Sequence, residues 1–580
     1  MILGFFLSLA VTAYAQDGKQ LAYLESMLGA ASVEEADASE VERLTELLER
    51  PLKINVDSRS RILSSGLFSK YQVASLLDYR MHHGDVLSLT ELSGIDGFGK
   101  DFVGRAAPFI SLETHAAVAE RYDTLPRISH DLALRSGVRG DCRDFSCPDC
   151  NYAMKYRVDY DGRLSAVFSL SSLKESLPSL SSLRGSVAMH FRKFRGTVLV
   201  GDYNARFGQG LVLWSGMTMS GLNRSSSFIR NPTGISQSWS FTGSTALTGV
   251  AVDVSVGDFT VSFLSDVSAL KNTYSAQGFG GAIDCSWNGR SGEMSFTSSF
   301  STDMRKVTQA LASISQKWSI GGVVVSSELA WDWVSAVPAA LVGLSSKAAE
   351  CLRLSALARY YHPLYSSSFA SPPRAGSRTS NEYGLALCGD IVVNDSFDSS
   401  LSVDMACFPV SKESVARRQL KLFSDMCLKF SGTCCVKFRL TERIRTWGHR
   451  YKTGVRLEFI HDSSVLYSGV RVETVFCDEY GALGMMEAGY KGALFATYAR
   501  VGLFRIDDWD DRIYVYERDS PGTFNSPAYY GRGVWAAVTM SCKCTSCLKV
   551  FLRASIVDYP FMKKEKPGKA ELKLYVSLDF

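Results

Sequence analysis

Residues 571–580 read Glu-Leu-Lys-Leu-Tyr-Val-Ser-Leu-Asp-Phe, and this stretch decides the fold. Leu572, Leu574, Val576, Leu578 and Phe580 alternate with Lys573, Tyr575, Ser577 and Asp579. A period of two sorts side chains into an apolar and a polar face only when the backbone is extended, so this is a strand with two different surroundings.

The same alternation runs back through the chain. Strands are predicted at Val534 to Met540, Cys547 to Ser555, Ile513 to Glu517 and Gly454 to Ile460. Near residue 152, Tyr152, Met154, Tyr156, Val158 and Tyr160 alternate with Ala153, Lys155, Arg157 and Asp159, and Asp161-Gly162 then turns into a partner strand from Leu164. A second hairpin pairs Val250 to Val256 with Phe259 to Phe263 across Gly257-Asp258. With a residue or two added at each end, such strands approach the roughly 9–11 residues of a tilted transmembrane strand.

The polar faces carry charges or Ser, and short turns alternate with longer polar loops, as in transmembrane barrels. The expectation is a mainly β protein: a large antiparallel transmembrane β-barrel of about 18–24 strands over residues 114–580, preceded by a small all-α domain. If the last strand runs towards the periplasm, turns near 541–547, 506–510, 462–465, 431–433 and 394–397 share its end. Loops near 519–530 and 558–570 then lie outside. Residues 206–245, including Phe207-Gly-Gln-Gly-Leu-Val-Leu-Trp214, break the pattern and read either as strands with a long loop or as an insertion into the lumen.

Composition agrees with a barrel. The 580 residues are 46% hydrophobic and 21% charged with a mean hydropathy of +0.01, apolar content spread over alternating positions rather than gathered into a spanning helix. The formal charge of +4 is too small to declare a nucleic-acid partner for the whole molecule. Residues 2–15 form an apolar run ending in Ala13-Tyr14-Ala15, so residues 1–15 read as a signal peptide. Export suggests an oxidising compartment for the 14 Cys, although Cys285, Cys351, Cys388, Cys407, Cys427 and Cys477 sit singly in apolar segments as small hydrophobes. Two clusters, Cys142, Cys147 and Cys150 and Cys542, Cys544 and Cys547, have metal-like spacing. Local disulfides are expected there rather than a shared zinc, and no metal site is predicted.

Residues 16–50 form an acidic lead, with Glu34, Glu35, Asp37, Glu40, Glu42, Glu46 and Glu49 around Val41, Leu44, Leu47 and Leu48. Asp37 or Ser39 can cap this helix, whose charged face reads as solvated. Residues 51–113 are helical and punctuated by glycines: Gly66-Leu67-Phe68-Ser69, and Ile95-Asp96-Gly97-Phe98-Gly99-Lys100. This pattern resembles a tandem helix-hairpin-helix module of the kind found in competence DNA receptors. Gly97 and Gly99 allow a tight turn, their N–H groups lead into a helix N-terminus, and Lys100 adds a cation, a combination that can hold phosphate without reading sequence. Gly97, Phe98, Gly99, Lys100 and Gly66 are therefore the candidate DNA-phosphate residues. Residues 51–113 balance seven bases (Lys53, Arg59, Arg61, Lys70, Arg80, Lys100, Arg105) against seven acids (Asp57, Asp78, Asp85, Glu91, Asp96, Asp101, Glu113), so any such site rests on hairpin geometry.

Catalytic signatures are missing from the sequence. Gly94 to Lys100 spells a partial P-loop, but Asp101 stands where a Ser or Thr must bind magnesium, and neither H-E-x-x-H nor G-x-S-x-G occurs. No catalytic residue and no cofactor is predicted, and the expectation is a non-enzymatic protein. The basic segment Cys434 to Leu440, with Arg443 and Arg445, reads as the lining of a wet lumen.

Several segments together resemble an outer-membrane β-barrel family of Bacteroidetes-type bacteria that carries an N-terminal periplasmic helix-hairpin-helix domain. They are Glu49-Arg50-Pro51-Leu52-Lys53-Ile54-Asn55, Gly201-Asp202-Tyr203 with Phe207-Gly208-Gln209-Gly210-Leu211, Asn381-Glu382-Tyr383-Gly384-Leu385, Tyr514-Val515-Tyr516-Glu517 and Glu571-Leu572-Lys573-Leu574. A terminal strand ending on an aromatic residue likewise resembles the signal by which such barrels are assembled. The resemblance implies an outer-membrane location with residues 51–113 in the periplasm. The partners it implies are outer-membrane lipid, with double-stranded DNA and other cell-envelope proteins as candidates. Two functions are expected from these readings: sequence-independent DNA binding or uptake, or a transport or scaffold barrel whose helical module docks on protein or plugs the pore.

Overall fold

The computed structural model describes residues 23–580 apart from 29–32, 36–37, 50, 58, 115–127, 143–148, 161–162, 173–182, 192–195, 216–221, 239–245, 268–277, 290–291, 304–305, 394–395, 412–414, 478, 493, 546 and 563–566. The expected signal peptide, the Asp161-Gly162 turn, Asp37 and Cys147 lie outside the described residues.

Twenty-four antiparallel strands (24) close into one barrel, at the top of the expected range. Closure is made by the two ends of the wall: the final strand, Lys569–Asp579, pairs with the first, Ile128–Asp141, and His130 and Phe580 exchange backbone hydrogen bonds. Both predicted hairpins form, Asp149–Tyr160 with Leu164–Ser171 and Leu247–Val256 with Phe259–Asp266.

Alternation decides which face is which. Leu572, Leu574 and Phe580 are exposed on the outside of the wall, whereas Tyr575 and Ser577 are buried on the inside. Met154, Phe168, Leu385, Val501 and Leu552 repeat this outward exposure around the barrel. Exposed aromatics flank the apolar belt: Phe259, Tyr490, Phe495 and Phe580 at one end and Trp331, Trp333, Tyr360 and Tyr383 at the other. An apolar band between aromatic girdles is the outer surface of a barrel dissolved in lipid. No helix among the described residues is long and apolar enough to cross a membrane.

Turns are short at the end that holds Phe580, such as Gly257-Asp258 and residues 350–351, and the long excursions 207–246, 362–381 and 507–530 leave from the other end. The predicted turns near 541–547, 462–465, 431–433 and 394–397 fall at the short-turn end. That near 506–510 does not. Ile513 to Glu517 alternates like a wall strand, but only Ile513–Tyr514 is extended, in a two-residue pairing with Ala528–Tyr529 off the wall, so the wall passes directly from Phe495–Ile506 to Gly531–Lys543.

The helical region includes α1 (Ala38–Glu49), α2 (Arg59–Ser64), α3 (Lys70–His83), α4 (Leu89–Gly94) and α5 (Gly99–Ala106). Ser69 caps α3 by accepting from the Gln72 N–H while the Gln72 side chain accepts from the Ser69 N–H, a closed capping box. Leu52–Lys53 and Ile110–Ser111 pair in parallel and tie the ends of the module together. Its core gathers Val41, Leu44, Ile54, Ile62, Phe68, Leu92, Phe98 and Phe109, and Tyr516 and Phe524 of the 507–530 excursion pack against it. The helices thus share a core with a loop of the barrel.

Candidate functional site in the barrel lumen

The inner face of the wall has two electrostatic sectors. From Leu247 to Phe408 its charged positions are mostly carboxylates, among them Asp253, Asp284, Glu328, Glu382 and Asp404. From Arg417 to Asp579 they are mostly cations, among them Lys437, Arg439, Arg456, Arg471, Arg500 and Arg553. Buried charges are costly without partners of opposite sign, so the buried members of each sector need such partners.

The acidic lead supplies the partner of the basic sector. Glu25 pairs with Lys437 at 3.1 Å, and Glu34 accepts from Arg471 Nη1 at 2.8 Å and lies 3.6 Å from Arg456. Glu40 pairs with Arg43 of its own helix and with Arg206 of the wall. Burial raises the pKa of both Glu34 and Glu40, but the guanidiniums outweigh it: Arg456 and Arg471 hold Glu34 well below the usual carboxylate range, and Arg206 and Arg43 hold Glu40 at about 2. The expectation that this acidic face is solvated is corrected. Its charges complement a wall that is hundreds of residues away in sequence.

The excursions fill more of the lumen and reach both sectors. Glu328 accepts from the N–H groups of Gln209 at 2.6 Å and Leu211 at 3.1 Å, and Arg224 lies 3.1 Å from Asp425 and 3.5 Å from Asp398. The described residues of 207–215 and 222–237 are therefore inserted into the lumen, one of the two readings that the sequence left open. Residues 362–381 pack on it, with the Tyr365 hydroxyl donating to the Leu211 carbonyl at 2.8 Å. From 507–530, Asp519 meets Lys573 at 2.7 Å, Glu517 pairs with Arg553, and the Tyr516 carbonyl accepts from Arg500 at 2.7 Å.

The helical module sits at the short-turn end. Arg59 donates to Ser255 Oγ at 2.8 Å beside the Gly257 turn, and Asp101 pairs with Arg353 beside the 350–351 turn. Of the candidate residues, Gly97, Gly99 and Lys100 are exposed and Phe98 is buried, its ring 5.3 Å from that of Phe68. Gly97 has φ +87°, and a Cβ there would stand 2.6 Å from the Tyr71 ring, so the turn requires glycine. Its carbonyl accepts from Gln72 Nε2 at 2.8 Å. Gly66, with φ +61°, lies against the Arg43 guanidinium of α1. The two glycine turns are thus joined through Phe68 and Phe98.

Lys437 and Arg439 of the predicted lining segment face the lumen, as expected. The two cysteine clusters do not meet. Cys142 lies near Asp558 at the long-loop end, whereas Cys542 and Cys544 lie at the short-turn end, their sulfurs 3.8 Å apart. At that separation Cys542 and Cys544 are not joined by a disulfide. What sequence reading missed is the basic sector, although its signal was present in the Arg and Lys residues repeated at inward positions of consecutive strands.

No family model and no curated protein matches the sequence. Among solved structures, the chain is similar to the E. coli P pilus tip assembly intermediate PapC-PapD-PapK-PapG, with 10% identity, 79% of this chain and 61% of that chain covered and a TM-score of 0.47. It is also similar to the siderophore receptor PirA from Pseudomonas aeruginosa (8% identity, 79% and 81% covered, TM-score 0.41) and to OccK11 of the same organism (9% identity, 78% and 96% covered, TM-score 0.31).

Proposed function

We propose that this chain is a non-enzymatic outer-membrane transport barrel closed by its own N-terminal segment, with the helical module at the periplasmic mouth. The observation that carries this reading is the set of ion pairs from Glu25, Glu34 and Glu40 to lumen cations, which bind the lead across the bore. Barrels this wide hold an aqueous channel unless something fills them. Ion pairs suit a removable filling, because they hold strongly in a confined site and can be traded for water once the segment moves. In planar bilayers the intact chain is expected to stay nearly closed, and a variant lacking residues 17–113 to conduct severalfold more, roughly, through the space that the lead vacates beside the excursions. Equal conductance of the two would refute the closure.

A second reading keeps the DNA-phosphate turn. Gly97, Gly99 and Lys100 are exposed on a left-handed turn that opens α5, at the mouth where a strand of duplex could reach them. This predicts binding of duplex DNA by the intact chain in detergent micelles, weakening with salt and lost in Lys100→Glu, since phosphate contacts release counterions. Binding that ignores salt, or survives Lys100→Glu, refutes it.

A further inference from the structure

We propose that Arg456 and Arg471 form a receptor for the carboxylate of an anionic solute, and that Glu34 occupies it as a tethered stand-in. This deepens the closed-barrel reading by naming the class of solute, and it rests on that reading because the solute takes the place the lead vacates.

Three features make the place a built site. Its donors converge on one carboxylate: Arg471 Nη1 at 2.8 Å, the Tyr516 N–H at 3.1 Å and Arg456 Nη1 at 3.6 Å. Two guanidiniums and a backbone N–H are a set matched to a planar oxyanion. The two arginines are also oriented without Glu34. Arg456 donates to Glu473 from Nε at 2.9 Å and Nη2 at 3.2 Å, and Arg471 donates to the same carboxylate from Nε at 3.0 Å and lies 3.5 Å from Glu458, all on the wall itself. A site whose shape is held by the wall persists when the lead moves.

The third feature is room for the remainder of a solute. A cavity of about 410 Å³ adjoins the pair, within the range of small-molecule sites, bounded by the lead on one side and by Ile460, Tyr467 and Met485 on the other. Its lining cations are Lys429, Lys437, Arg456, Arg471 and Arg500. Withdrawing Glu25 and Glu34 leaves only Glu458, Asp462 and Glu487 against them in that lining. The vacated cavity therefore favours an anion with an apolar or aromatic body.

A tethered carboxylate competes at millimolar effective concentration. In the full-length chain in micelles, sodium benzoate at constant ionic strength is expected to bind at least about tenfold more tightly to Glu34→Ala than to the native chain, since the tethered competitor is gone. Adding Arg471→Gln should abolish the gain. Glu34→Gln, which keeps an oxygen for the Tyr516 N–H, gives a second reading if the alanine variant misfolds. No gain over the native chain, or a gain that survives Arg471→Gln, overturns the proposal. Conductance that stays low after removal of residues 17–113 would instead refute the closure, so the two failures are separable.

Discussion

Replacing Arg359 with methionine is expected to destabilise the barrel by about 3–5 kcal/mol, the usual cost of stripping the partner from a buried charge. Arg359 and Glu382 have fully buried side chains, with Nε donating to Glu382 at 2.5 Å and Nη2 to Asp404 at 2.8 Å. Glu382 also accepts from the N–H groups of Ala375 and Gly376, both at 2.8 Å, so one guanidinium joins three wall strands to the 362–381 excursion. Methionine fills similar space but leaves two carboxylates facing each other without a cation. Gly384, opposite Arg359 in register, is part of the same arrangement, because a Cβ there would stand 2.8 Å from the guanidinium carbon. Urea unfolding followed by tryptophan fluorescence measures the loss, and a change below about 1 kcal/mol would place Arg359 among pairs that contribute little.

The second large effect concerns the lead. Glu34→Lys combined with Glu40→Lys sets a cation against Arg456 and Arg471 at one point and against Arg206 and Arg43 at the other. Leaving buried charges uncompensated costs about 3–5 kcal/mol, and 1.4 kcal/mol is a factor of ten, so the population with the lead withdrawn should rise by roughly a hundredfold or more. Trypsin digestion in micelles reads this as new cleavage after Arg43 and Arg50. Acid should act in the same direction on the native chain. Both folded carboxylates titrate below the ordinary glutamate range, Glu40 at about 2, so their contribution is complete above the unfolded value near 4.3 and is lost as pH falls from there towards about 2. Protection that is unchanged in the double variant would show that the lead is held by apolar packing alone.

How far the sequence reaches differs from element to element. The strand ending at Phe580 and the hairpin at Gly257-Asp258 are legible because alternation and turn chemistry are local properties, and a one-residue slip would turn the apolar set of either into the lumen. Ile513 to Glu517 shows the limit of that signal. Tyr514 and Tyr516 alternate with Val515 and Glu517 as in a wall strand, yet the segment folds into the lumen, where Glu517 pairs with Arg553 and the Tyr516 N–H meets Glu34. Alternation reports two faces, and a loop packed between wall and lead has two faces as well.

The candidate turn at Gly97 was readable for a related reason. A glycine needed at positive φ beside Tyr71 is a local demand, whereas the neighbour that the module would find was not written locally. The same holds for the acidic lead. By itself it is an amphipathic helix with an ordinary charged side.

The sequence alone determined the strand period, the facing of the wall towards lipid and the helical punctuation of residues 51–113, because each depends on residues a few positions apart. Only the tertiary structure decided that the lumen is filled, and by which charges. Glu34 and Arg471 are 437 positions apart, and Arg224 and Asp425 are 201. Closing twenty-four strands into a ring is what brings them within hydrogen-bonding distance. Coulomb attraction then sets the acidic lead against cations of the wall and Arg224 of the insertion against Asp398 and Asp425.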